Sequence, residues 1–232
     1  MLGKSVSQNS LILGLFALVT AGILALTYQG TADKIALEER RAAQRAFLEL
    51  LPDLPNSNSL LDNTLTLSKI HSTALGLETI AEVNVARKNS QPVAVILPSV
   101  APDGYSGKIK LAVGIYADGS LSGVRVLAHR ETPGLGDKIE TKKSDWILGF
   151  RGKSLEQPEP MQWQVKKDGG AFDQFTGATI TPRAVVRRVK QTLEFYRANK
   201  TLFIPETDVD SPQTPKSTPG VPVEGDALSQ YR

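Results

Sequence analysis

The apolar pattern changes character twice along the first half of the chain. From Ser5 to Ala32 no residue is charged, and the centre of that stretch, Leu11 to Leu26, is almost wholly apolar. A bilayer-crossing helix needs about 20 mostly apolar residues. Residues 10–29 supply them, and Tyr28 stands where an interfacial aromatic stands. A cleaved signal peptide would use the same features, with Lys4 as its basic start and Gly30-Thr31-Ala32 as small residues at a cleavage site. The run is long for the apolar part of a signal, and helical periodicity continues beyond it, so a retained anchor is expected. Charge leaves its orientation open. Lys4 lies on one side, and Lys34, Arg40, Arg41 and Arg45 lie on the other among Asp33, Glu38 and Glu39. Long domains cross membranes regardless of such counts.

Over residues 33–51, Ile35, Ala42, Ala43, Ala46, Phe47, Leu50 and Leu51 recur at helical spacing, and Pro52 ends the pattern. A Pro/Asn/Ser loop follows at 53–59. From about Ile80 to His129 the period becomes two. Ile109, Leu111, Val113 and Ile115 alternate with Lys110, Ala112 and Gly114. Asp118-Gly119 predicts a hairpin turn, and Val124, Val126 and Ala128 alternate in the return strand. An earlier strand at Val93–Leu97 should run into Pro98 and a turn at Ala101-Pro102-Asp103-Gly104. A helix is expected around Lys142–Phe150 and a strand at Trp163–Lys167.

The last helix is predicted with Thr181 as its N-cap and Pro182 as its first residue. Val185, Val186, Val189, Leu193 and Tyr196 form its apolar face. Arg183, Arg187, Arg188, Lys190, Arg197 and Lys200 face only Glu194 in charge, so the helix is basic. From Pro205 onward the chain has no apolar period and is expected to be disordered. The predicted class is α+β, one membrane helix followed by an α/β domain with antiparallel strands. The segments are an anchor at 1–32 (core about 10–29), a helical linker and loop at 33–74, the folded domain at 75–204 and a tail at 205–232.

Composition removes several chemistries. In 232 residues there is no cysteine, which excludes disulfides, thiol catalysis and cysteine-ligated zinc or iron–sulfur clusters. His71 and His129 are the only histidines, so a His-rich metal site is excluded. A net charge of +3 is too mild for a nucleic-acid binder, and no nucleic acid is expected as partner. The hydrophobic share of 41% suffices for one core.

Two loops carry more Gly, Thr and Pro than a plain connection needs. His129-Arg130-Glu131-Thr132-Pro133-Gly134-Leu135-Gly136 follows a strand, and its glycines allow positive φ or close approach to a flat ligand. His129 and Glu131 also admit a metal or acid–base pair, but no partner motif accompanies them. Asp173 to Pro182 places Thr176-Gly177-Ala178-Thr179 just before a helix N-terminus, where free N–H groups and the helix dipole favour an anion. Arg183 and Arg187 could add positive charge there. Either string alone is also compatible with a capped loop.

Together the segments resemble the FMN-binding domain family. Thr176-Gly177-Ala178-Thr179, with Asp173 upstream, is similar to that family's flavinylation motif. Gly104-Tyr105-Ser106-Gly107 and the loop from His129 to Gly136 resemble two further family segments in the same order, over roughly residues 75–197. The continuation Gly136-Asp137-Lys138-Ile139-Glu140 and the length resemble the RnfG branch, the G subunits of Rnf (Rsx) ion-translocating electron transport complexes. The C subunits of the sodium-pumping NADH:quinone reductase are the alternative.

The resemblance implies covalent FMN on the Thr179 hydroxyl through a phosphoester. It also implies a loop shaped by Thr176, Gly177 and Ala178, and recognition of Asp173 by a flavin transferase. Glu131, Thr132, Gly134, Leu135 and Gly136 would lie near the isoalloxazine. No catalytic residue and no metal ligand is implied. The expected function is an electron relay between NADH and ferredoxin or a related acceptor, coupled to ion movement and not turning over alone. Its partners would be the other Rnf subunits, a periplasmic flavin transferase and membrane lipid. The domain would lie on the periplasmic side of a bacterial inner membrane. A non-redox, membrane-anchored scaffold is the reading from a different class.

Overall fold

A computed structural model describes residues 2–52, 64–88 and 91–205. The loop expected at 53–59 and, apart from Pro205, the tail expected from 205 lie outside the described residues.

Helix α1, Leu2–Leu50, is a single helix of 49 residues. Its segment Val6–Ile35 is long and apolar enough to cross a membrane, and none of it is packed inside the protein. Exposure on this scale rules out a soluble core helix. The hydroxyls of Thr20, Thr27 and Thr31 donate to the carbonyls of Phe16, Ile23 and Thr27, each at 2.8 Å. These three threonine hydroxyls are thus satisfied by their own helix, as a hydrocarbon environment requires. Ile35, which shares the helical spacing, is exposed. Among the described side chains of α1, burial begins at Ala46, about 16 Å further along the helix axis.

The sheet has five antiparallel strands in sequential order: β1 (Thr64–Thr66), β2 (Glu82–Lys88), β3 (Gln91–Gly104), β4 (Gly107–Tyr116) and β5 (Leu121–Ala128). Helix α2 (Lys69–Ala74) joins β1 to β2, and α3 (Ile180–Ala198) and α4 (Lys200–Phe203) follow β5 after a long irregular stretch. The period of two sorts the residues onto two faces. Val83, Val85, Val95, Leu97, Ile109, Leu111, Val113 and Ile115 form one core with Val185, Val186, Val189, Leu193 and Tyr196 of α3. Ala86, Ala94, Ile96 and Ala112 form a second core with Leu50 and Leu51, with Phe47 packed alongside. The small residues of β4 and β5 therefore seat α1. A Cβ on Gly123 would stand 3.1 Å from Leu50 Cδ2, and one on Gly114 would stand 3.4 Å from Leu50 Cβ. Arg125 closes this edge by donating to Glu49 at 2.7 Å.

Three local expectations are corrected. Strand β3 continues through Pro98 to Gly104, with an irregular register between Ala101 and Gly104, so the turn falls at Tyr105-Ser106 instead. Pro98 sits within the strand, opposite Ala112. Only Trp146–Phe150 of the expected helix at 142–150 is helical, and it is a 3-10 turn. No strand forms at 163–167: Val165 makes one isolated bridge to Phe172, and Gly169, at φ +86°, turns the chain. The alternation there reflects packing of Trp163 on Phe172, with ring centroids 5.2 Å apart, rather than pairing in a sheet.

Candidate functional site

The two Gly/Thr loops come together at one end of the sheet around a cavity of about 260 Å³. Glu131, Thr132, Leu135 and Gly136 line one side, Gly177, Ala178 and Thr179 the other, and Tyr105, Ile180 and Thr181 complete it. Thr176 and Gly134 are exposed in the same two loops, outside the lining.

The first loop closes on a single carbonyl. Thr132 O accepts from the N–H groups of Leu135 and Gly136 at 3.1 Å and of Asp137 at 3.4 Å. Gly134, at φ +78°, makes the reversal possible. Gly136 is required for a different reason. A Cβ there would stand 2.9 Å from both Glu131 Oε2 and Thr181 Oγ1. Glu131 is buried, with 4% of its surface exposed. Its carboxylate accepts from the Ser106 N–H at 3.0 Å and from the Thr181 hydroxyl. Three segments distant in sequence thus meet at one buried charge.

The second loop is held from beneath by aromatic packing. Trp146 donates its indole N–H to Asp173 O at 2.8 Å and meets the Phe175 ring edge-on at 5.1 Å. Phe172 stacks on Phe150 at 4.7 Å. Between these anchors, Ala178 N–H donates to Phe175 O at 3.1 Å, closing a turn with Gly177 at φ +79°. A positive φ at the third position is what a type II turn demands. Gly177 also faces Leu135, whose Cδ2 would lie 3.6 Å from a Cβ placed there. Asp173 pairs with Lys166 at 2.6 Å on the exposed surface.

The start of α3 departs from the sequence reading. Its first helical residue is Ile180, and the N-cap is Thr179, not Thr181. Pro182 then occupies the third helical position, where the missing N–H is still harmless because the first four have no intrahelical acceptor. Thr181 is fully buried and serves Glu131 instead. The Thr179 side chain makes no capping hydrogen bond, so its hydroxyl stands at the helix N-terminus without that engagement. Arg183 and Arg187 do not reinforce the anion site as expected. Arg183 forms a two-pronged pair with Asp168 at 2.6 Å per bond, and Arg187 pairs with Asp103. The bonds from Arg183 hold the Asp168 carboxyl below the usual carboxylate range.

This arrangement suits a ligand with an anionic end and a flat, partly apolar body. The helix N-terminus and the Thr179 hydroxyl would receive the anion. The exposed side chains of Tyr105, Leu135 and Ile180 offer apolar surface beside it. Tyr105 and Ile180 lie within segments singled out in the sequence without being assigned to the site, and the Glu131–Thr181 bond was not legible locally. A larger groove of about 490 Å³ lies between α1 and β5, lined by charged residues including Arg45, Glu49 and Lys142. It lacks the helix N-terminus. His129 and Glu131 do not form a metal or acid–base pair, since the imidazole accepts the backbone N–H of Glu131 rather than facing its carboxylate. Among the described residues no group of three or more potential ligands could hold a metal ion.

Comparison with known proteins gives two family matches, the FMN-binding domain over residues 104–194 and the RnfG N-terminal region over residues 1–50. The chain is 52% identical over 204 residues to the G subunit of the ion-translocating oxidoreductase complex of Pseudomonas aeruginosa, covering 88% of this chain and 94% of that protein. It is 47% identical to the protein of the same name from Pseudoalteromonas atlantica, with 84% and 90% covered. The Vibrio cholerae protein of that name is 44% identical, with 82% and 90% covered.

Proposed function

Because the chain belongs to the RnfG family, the G subunits of ion-translocating oxidoreductase complexes, we propose that it is an electron-relay subunit carrying FMN covalently on Thr179. The observation that carries this reading is the placement of Thr179. That residue stands at a helix N-terminus, makes no capping bond with its side-chain hydroxyl, and lines a cavity walled on the other side by the loop of Glu131 to Gly136. A purely structural cap would use that hydroxyl, and this one does not. A phosphoester retains negative charge, which the first turn of α3 favours.

Gly177 and Ala178 set the approach of the phosphate, Thr176 and Gly134 shape the exposed parts of the loops, and Leu135, Tyr105 and Ile180 bear on the ring. Thr132, Gly136 and Glu131 form the polar side. When bound, the flavin supplies the redox chemistry, while these residues orient it and control its access to water. The chain has no cysteine for an iron–sulfur centre and no dinucleotide fingerprint after a strand, so electrons must arrive from and leave to other subunits. NADH and ferredoxin, or a related acceptor, are the proposed ends of that path, with ion movement as the coupled process. Among the described residues only one helix is suited to span a membrane, too little by itself for an ion path. We place the domain on the periplasmic side, where a flavin transferase would recognise Asp173 and the turn that follows.

The test is mass spectrometry of the peptide from Phe172 to Arg183, taken from the wild type, Thr179→Val and Thr176→Val expressed with the transferase. An FMN-sized increment on Thr179, lost in Thr179→Val and kept in Thr176→Val, is expected. An increment that maps to Thr176 or survives in Thr179→Val refutes the assignment.

A further inference from the structure

We propose that His129, steadied by Glu140, is a positioning residue that sets the placement of Glu131 in the ring cavity. The inference rests on reading that cavity as the flavin site and extends it to a residue outside its lining. The backbone N–H of Glu131 donates to His129 Nδ1 at 2.9 Å. An amide N–H can only donate, so Nδ1 presents a lone pair and the ring hydrogen sits on Nε2. Nε2 lies 2.6 Å from Glu140 Oε1 and therefore donates to it. Both nitrogens are committed, and the imidazole, with a side chain only 10% exposed, has a single orientation and tautomer.

The opposite end of Glu131 explains why this matters. Its carboxylate is confined between Gly104 and Gly136, where added Cβ atoms would stand 2.8 Å and 2.9 Å from its oxygens. The Ser106 N–H and the Thr181 hydroxyl hold it from either side. A buried charge with so little clearance changes its field at a neighbouring ring if its backbone shifts slightly. His129 anchors that backbone. The bond from a side chain to the N–H two residues on is the geometry of an Asx-turn, so asparagine is the natural replacement. His129 and Glu140 also line the groove between α1 and β5. The positioning bond therefore joins the ring cavity to the side of the domain on which α1 docks.

The experiment compares His129→Asn, which keeps an acceptor at the Nδ1 position, with His129→Gln, which does not. Amide exchange at Glu131 is measured in the full chain in detergent, on the flavin-free Thr179→Val background. The flavin absorbance band and midpoint potential are measured on the Thr179 chain. His129→Gln should speed Glu131 exchange about tenfold and shift both band and potential while leaving covalent flavin content unchanged. His129→Asn should match the wild type in all of these. Glu140→Ala, which frees the ring without touching the cavity, should fall between the two. Unchanged exchange, band and potential in His129→Gln overturn the proposal, as does an equal defect in His129→Asn. If His129→Gln does not fold, imidazole nitrogen shifts of the wild type decide: a proton on Nδ1 overturns the proposal, and a proton on Nε2 alone supports it. A wild-type chain without flavin on Thr179 refutes the attachment site, while the exchange data still judge His129.

Discussion

Replacing Gly136 by alanine tests the packing of the site most directly. The new Cβ would lie 2.9 Å from Glu131 Oε2, 2.9 Å from Thr181 Oγ1 and 3.0 Å from Glu131 Cβ, where ordinary contact begins near 3.4 Å. The two oxygens belong to one hydrogen bond, so both partners must yield. Glu131 has nowhere to go, because Gly104 closes the other side with 2.8 Å between a Cβ there and Oε1. Overpacking of this kind costs about 1–3 kcal/mol. Loss of a hydrogen bond to a charged group adds about 1.5–3 kcal/mol when it breaks. The two overlap, and the expected loss is about 2–4 kcal/mol, or roughly 5–15 °C in Tm for a domain of this size. Gly134→Ala is the control. Its φ of +78° strains an alanine, but nothing lies within 4 Å of the added carbon, so about 1 kcal/mol is expected. Thermal unfolding of the purified full chains, followed by circular dichroism, compares them. A Gly136→Ala protein as stable as the wild type, or more stable than Gly134→Ala, refutes the account of Glu131 as wedged between two glycines.

Leu135→Ala should shift the flavin band or potential without preventing attachment, and because Leu135 is 43% exposed its stability cost should stay below about 1 kcal/mol; an unchanged spectrum and potential place the ring elsewhere. Burial pushes the Tyr196 hydroxyl up to about 12 from 10.0. A raised folded-state value means a contribution intact below pH 10 and lost as pH rises toward 12, so alkaline unfolding should steepen in that window by about 1–3 kcal/mol in all. Tyr196→Phe should flatten it, and equal alkaline profiles for both proteins contradict this. Because the chain has no cysteine, Met161→Cys, at an 83% exposed position, provides a single thiol. It should react with an impermeant maleimide in cells whose outer membrane alone is opened, and labelling that requires lysis puts the domain in the cytoplasm.

Much of the architecture is written in short-range pattern. The uncharged run of residues 5–32 reads as a span, the alternation from Ile109 to Ile115 as a strand, and the spacing from Val185 to Tyr196 as a buried helix face. Each of these depends on residues within a few positions of one another, so periodicity suffices. The same pattern misleads where burial arises without regular pairing. Trp163 and Val165 alternate like a strand but pack on Phe172, and Ala101 to Gly104 reads as a turn although β3 extends through it.

The two Gly/Thr loops are visible as strings, and only the family resemblance, not any local pattern, relates them to one another. The bond from Ser106 to Glu131 spans 25 residues and that from Thr181 spans 50. No local pattern encodes either, and both Thr179 and Thr181 satisfy the rules for a helix cap. The choice fell to packing: burying Glu131 demanded a hydroxyl donor, Thr181 supplied it, and the cap passed to Thr179. Likewise Ala112 and Gly114 look like a strand's outer face until Leu50 of α1 covers them. By itself the sequence determined the span, the main helices, the central strands and the special loops, because those follow from propensity and period. Tertiary structure alone decided which threonine is free and which glycine is wedged, because these depend on distant atoms competing for the same few ångströms.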